Sequence, residues 1–180
     1  MKYAIVNTNT PRSRVQRISD TDPVSLEDGV ISVEITDELG TTIQNANEPY
    51  FYVNSNFITR DQLPITDEMK SRKKKILAKL RWEAEFGGFT EPNSGMFVRT
   101  DERTRTLLNA AMLRINANPN YEMQNWKTAD GNFITLQAST IVALDTAVEQ
   151  FIASQFAKEA SLVAQIDSAT TMGELSAINW

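Results

Sequence analysis

The side chains that could do chemistry in this chain are carboxylates and amines, because it contains neither histidine nor cysteine. Without His there is no ordinary general base near neutral pH and no imidazole metal ligand. Without Cys there is no thiolate nucleophile and no disulfide. Triads built on His, the usual zinc sites and a His phosphocarrier are therefore excluded. Paired carboxylates, lysine chemistry and hard-cation sites remain. Glu83 and Glu85 stand beside the turn Gly87-Gly88, but residues two apart on a helix point to different sides and cannot flank one bond. Glu91 and Asp101 follow, and nothing in the sequence brings them together. A glycosidase needs two carboxylates about 5 Å or about 6.5–9.5 Å apart. Asp20-Thr21-Asp22 and Glu27-Asp28-Gly29 look like pieces of a calcium loop, yet the Gly and Glu spacing of an EF-hand is missing. The phosphate-binding glycine motifs are absent, and Gly87-Gly88 reads as a helix C-cap. The expectation is no catalytic residue, no cofactor, no metal and no enzyme.

What the sequence offers instead is docking chemistry. Lys70-Ser71-Arg72-Lys73-Lys74-Lys75 is the most basic run. It has no interleaved aromatic residue for stacking on bases, so it reads as a solvated helix face or as a contact for an acidic protein partner. Trp82 and Trp126 read as core residues. Trp180 is unusual, because chain ends fray unless tied down, and it points to docking on its own or a neighbouring chain. Trp180, Lys73, Lys74, Lys75, Tyr50 and Tyr52 are the candidate partner-docking residues.

The 180-residue chain is 41% hydrophobic and 23% charged, enough to bury a real core. Its net charge of −5 and pI near 4.9 argue against nucleic acid as a partner. The opening Met1-Lys2-Tyr3-Ala4-Ile5-Val6 is too short an apolar patch for a secretory signal. No apolar run approaches the ~20 residues that cross a bilayer, so a soluble protein without membrane contact is expected.

The elements that must position these residues change type along the chain. Tyr3–Val6, a turn at Asn7-Thr8-Asn9-Thr10-Pro11, Val15 to Ile18, and the alternating Val30–Ile35 predict short strands in an antiparallel meander. Tyr50-Phe51-Tyr52-Val53 and Phe57-Ile58-Thr59 flank an Asn-rich tip and predict a hairpin. After Pro64, Thr66 with Asp67 and Glu68 caps a helix running to Phe86. A short hairpin over Phe89 to Val98 comes next. Asp101 then caps a second helix that lasts to Asn118-Pro119, and a strand pair surrounds Asp130-Gly131. From Ser139 to Asp167 there is no Gly or Pro, and Ile141, Leu144, Val148, Phe151, Ile152 and Phe156 recur three or four apart. That is one long amphipathic helix. Gln155 and Lys158 interrupt its stripe, which argues against a sustained coiled coil. Thr170-Thr171 caps a last short helix. The fold class is α+β: a small antiparallel β module over 1–63, then a mainly helical domain over 64–180 with short hairpins. Proteolysis is expected near 60–75, between the two.

In the second half, Phe86-Gly87-Gly88-Phe89-Thr90, Met96-Phe97-Val98-Arg99-Thr100-Asp101, and Asn125-Trp126-Lys127-Thr128-Ala129-Asp130-Gly131-Asn132-Phe133 precede the long helix and Ala169-Thr170-Thr171. This order resembles an uncharacterised domain family of tailed bacteriophages, associated with tail-fibre and tail-tip proteins. The likeness covers about residues 66–180, and residues 1–65 are similar to small β modules that precede such domains. The resemblance implies a structural virion protein, an adaptor or attachment component of the tail fibre or baseplate, made in the bacterial cytoplasm. Its partners would be other tail, baseplate or fibre proteins, with homo-oligomerisation possible through the long helix. The alternative is a tail-fibre assembly chaperone that leaves before the particle matures. The family brings no catalytic motif to carry over.

Overall fold

Three buried residues in succession, Ala4, Ile5 and Val6, place the first strand at the centre of a sheet with both faces covered. The computed structural model describes residues 1–9, 12–23 and 25–180. Strand β1 (Lys2–Asn7) pairs antiparallel with β2 (Val15–Ser19) on one side and β3 (Val30–Ile35) on the other. The spatial order is therefore β2-β1-β3. This corrects the expected meander, in which β3 would have paired with β2. The turn expected at Asn7 to Pro11 is described only in part, since Thr10 and Pro11 lie outside the described residues.

Helix α1 (Asp37–Asn45), which the sequence did not announce, is capped by the Thr36 hydroxyl accepting from the Leu39 N–H. Strands β4 (Tyr50–Val53) and β5 (Asn56–Thr59) form the expected hairpin. Its tip residues Asn54 and Ser55 have φ of 49° and 64°. Two successive positive φ values give the turn whose twist suits a hairpin. Ala4, Val6, Val15 and Ile35 form the core beneath, with Tyr50, Tyr52 and Phe57 packed against it. A short 3-10 helix, Arg60–Gln62, then turns the chain.

Helix α2 (Asp67–Gly87) is followed by the hairpin β6 (Phe89–Thr90) and β7 (Phe97–Val98), then by α3 (Glu102–Ala117). Next come the hairpin β8 (Glu122–Lys127) and β9 (Phe133–Gln137), the 31-residue α4 (Ala138–Ser168) and α5 (Met172–Ala177). At 1.5 Å per residue α4 is about 46 Å long. The fold is α+β, as the sequence predicts. Gly88 ends α2 with φ of 81°, and a Cβ there would lie 2.6 Å from the Val98 carbonyl oxygen. No other residue type fits that corner. Thr100, fully buried, locks it by accepting from the Gly88 N–H at 3.0 Å and donating to the Glu85 carbonyl.

The chain forms two compact units, and their border differs from the one expected at Pro64. The first comprises Met1–Lys70 with Ala169–Ile178, the second Ser71–Ser168 with Asn179–Trp180. The tail joins the first unit because its backbone is laced to the segment after the 3-10 helix. Met172 N–H donates to the Leu63 carbonyl at 2.9 Å, and Ile65 N–H to that of Thr170 at 3.2 Å. A capping box at Thr171 and Glu174 holds α5 in register, and the Thr170 N–H, then the Thr171 N–H, keep the Glu174 carboxyl below the usual range. Pairing across more than a hundred residues of sequence is invisible to local pattern. The expected protease-sensitive stretch is also different in kind. Residues 67–75 are continuous helix, so cleavage there requires local unfolding.

The core of the second unit is Val98, Leu108, Ala111, Leu136, Ile141, Leu144 and Val148. It sits between α3, α4 and the two hairpins, with Trp126 and Ile152 packed on its margin.

Candidate functional site

The acidic residues that might have done chemistry are held in structural roles. Glu83 lies 3.5 Å from Lys79 on the exposed side of α2, whereas Glu85 is buried on the other side. Glu85 pairs with Arg81 and, at 3.0 Å, with Arg105. Arg81 reaches Glu159 on α4, also at 3.0 Å, so these charges tie α2, α3 and α4 together. Burial works against the Arg81 charge, but the hydrogen bonds it donates to Glu159 and Glu85 outweigh it and raise its pKa. Asp101 caps α3, accepting from the Thr104 N–H at 2.8 Å. Among the described residues, no three acidic side chains converge as a metal site would require.

Glu91 closes the β6–β7 turn. Its carboxylate accepts from the Ser94 hydroxyl at 2.6 Å, the backbone N–H groups of Asn93 and Ser94, and the Asn93 amide. The Ser94 hydroxyl, then the Asn93 and Ser94 N–H groups, lower its pKa from 4.5 to about 2. A folded-state pKa below the unfolded one stabilises above pH 4.5, and that contribution is lost as pH falls toward 2. Glu91→Gln should therefore lower the melting temperature near neutral pH, and the gap from the parent should narrow toward about pH 3. Thermal melts at both values check it, and an equal gap at both would refute this role.

The expected docking residues are not brought together. Tyr50 and Tyr52 lie in the first unit, where both pack on its core and Tyr52 meets Phe57 at 4.9 Å between ring centres. Lys73, Lys74 and Lys75 lie on α2 in the second unit. Lys74 is paired with Asp167 at 2.6 Å, Lys73 is half-buried and only Lys75 is open. Trp180 docks in its own chain, with the Lys158 ammonium 4.7 Å from the ring centre. Trp82, expected in the core, is 54% exposed and meets Phe86 along the helix with the rings tilted at 38°.

A different feature of the second unit concentrates binding chemistry. A groove of about 800 Å³ runs between the β7 region and the β8–β9 hairpin, with Leu144 in its lining. Consecutive residues line it on both sides: Met96 to Arg99, and Met123 to Gly131. A strand that presents a face contributes alternate residues; one that presents an edge contributes consecutive ones. Among the described residues, β7 and β8 pair on one side only, with β6 and β9 respectively. Asn125, with φ of 56°, sits in a bulge where Gln124 and Asn125 stand opposite Thr135. Such a bulge re-aims side chains along a strand.

The charges of the groove are Arg99, Arg103 and Lys127 against Asp101 and Asp130. Both carboxylates are engaged within the fold. The Thr104 N–H, then the Arg99 and Arg103 guanidiniums, act against burial to hold Asp101 below its usual range. Asp130 accepts from the Thr128 hydroxyl and, at 2.6 Å, from the Asn132 amide, and is lowered by the first of these. Arg99 and Arg103 are exposed and form no ion pair among the described residues. Phe97 and Phe133, 42% and 65% exposed, add apolar surface beside them. The sequence signals were Arg99 and Arg103 at the mouth of α3 and the Asn125 to Phe133 phrase, but only the fold shows that they face each other.

The family described as "Domain of unknown function (DUF4376)" matches residues 68–179. The chain belongs to this family. The match takes in α2 to α5, and hence the whole groove. No curated protein matches the chain, and no solved structure does. Among the described residues, no helix is long and apolar enough to cross a membrane.

Proposed function

We propose that this protein is a structural component of a tailed-bacteriophage virion, an adaptor that joins neighbouring proteins of the tail fibre or baseplate. The phage context comes from the resemblance of residues 66–180. The observation that carries the adaptor reading is the surface of the second unit. Ile76, Trp82, Phe97, Leu107, Leu113, Phe133 and Phe156 are each 42% exposed or more, on a unit whose own core is already filled. Of these, Phe97, Leu107 and Phe133 line one groove, and exposed apolar side chains grouped in one place mark contacts with other molecules. The engagement of Glu85, Glu91, Asp101 and Asp130 in structural hydrogen bonds favours a binding role over catalysis.

Mass spectrometry of purified phage particles tests this. The protein should be found in mature virions in reproducible stoichiometry. If it is abundant in infected cells and missing from particles, the assembly-chaperone reading replaces this one.

A further inference from the structure

We propose that the groove between the β7 edge and the β8 edge takes an extended acidic segment of a partner protein, bound as an added strand. This names the kind of partner for the adaptor reading and rests on that reading only for where the partner comes from. Three observations lead to it. First, two strand edges with no further strand beside them among the described residues line the groove, and unpaired edges are templates for an incoming extended chain. Second, the groove is cationic on a chain of net charge −5. Arg99 and Arg103 are exposed and form no ion pair among the described residues, while the two acids already accept internal hydrogen bonds. The charged side-chain groups left over are donors, the two guanidiniums and the Lys127 ammonium, and the amides of Gln124 and Asn125 can donate as well as accept. Such a set selects carboxylates. Third, Met96, Phe97 and Leu107 supply apolar contact in the same lining. An extended chain sends successive side chains to opposite faces. A segment alternating acidic and apolar residues would meet the cations and the apolar surface in turn. The bulge at Gln124 and Asn125 interrupts the β8 ladder, so regular pairing on that side is confined to the stretch around Trp126 to Thr128.

An anionic polysaccharide could also satisfy the cations. It has no peptide N–H and C=O to pair with strand edges, so the edge geometry favours the peptide.

The test uses the full chain, isotope-labelled, with a short capped peptide alternating Glu with Val and Tyr. Amide shifts should move in residues 96–107 and 123–133, and binding should weaken with added salt. The double variant Arg99→Glu, Arg103→Glu should lose about tenfold or more in affinity, given the strength of charge-assisted contacts. Its circular dichroism should match the parent and its melting should stay close, because both side chains are exposed and make no hydrogen bond or ion pair among the described residues. Lys75→Glu, outside the groove, should bind as the parent does. A peptide N-methylated at alternate residues should fail, since it cannot pair with an edge. Shifts elsewhere, loss of binding on Lys75→Glu alone, or undiminished binding of the methylated peptide would each overturn the proposal. So would polygalacturonate binding at the groove more tightly than the peptide. A protein present in virions whose groove ignores the peptide loses this inference and keeps the adaptor reading; the reverse result separates the two the other way.

Discussion

Leu144→Asp is expected to abolish the cooperative melting of the second unit and to leave an aggregation-prone chain. Leu144 is 2% exposed and lies in the core with Leu108, Ile141 and Val148. Truncation to alanine at such a site costs about 2–5 kcal/mol, from lost transfer energy and the cavity left behind. A domain stable by about 5–15 kcal/mol can survive that. Aspartate loses the same packing and also places a carboxylate among the buried apolar side chains of Leu108, Ile141 and Val148, which costs several kcal/mol more unless the group takes up a proton. The Ala variant should therefore fold with a lowered melting temperature, while the Asp variant should lose the helical signal by circular dichroism. An Asp variant that melts like the parent would show that α4 does not bury this face.

Glu85→Ala is expected to cost about 3 kcal/mol, read from the urea midpoint. The carboxylate is the shared partner of Arg81 and Arg105, whose side chains are 19% and 29% exposed. Removing it leaves two guanidiniums half-buried and close together, stacked on Phe156 and Phe86 at 4.3 and 5.0 Å. The expected loss lies at the lower end for a buried pair because both arginines keep some water. The set as a whole is worth less than its parts. Replacing it together (Arg81→Met, Glu85→Leu, Arg105→Met, Glu159→Gln) should restore most of the stability, as apolar groups of similar volume often match a buried ion pair. If the single and the fourfold variants are equally unstable, these charges contribute more than the cost of burying them.

Elements with strong local signals were legible in the sequence. Alternation of Ile31, Val33 and Ile35 marked β3, Asp101 marked the start of α3, and the stretch free of Gly and Pro marked α4. Helix α1 was hidden because Gly40, Thr41, Thr42 and Ile43 have low helix propensity, and only the Thr36 cap with Asp37 and Glu38 betrays it. Strand order was hidden because pairing partners are set by packing, so β3 beside β1 carries no local mark. Trp82 was misplaced for a related reason. Its helix carries apolar residues around much of its girth, and tertiary contacts chose Leu77 as the buried one. The groove was illegible because it joins residues 96–107 to residues 123–133 through the hairpin's docking on the core, and because the left-handed Asn125 has no counterpart in strand periodicity.

The adaptor reading is tested most directly by lysine-reactive cross-linking of intact purified particles, read by mass spectrometry. The account predicts that this chain is present, that Lys127 beside the groove links to a different tail protein through a nearby lysine flanking an acidic stretch, and that Lys2 in the first unit also links to a neighbour. Particles that lack the chain, or that hold it with no cross-link from either lysine to another tail protein, would contradict it.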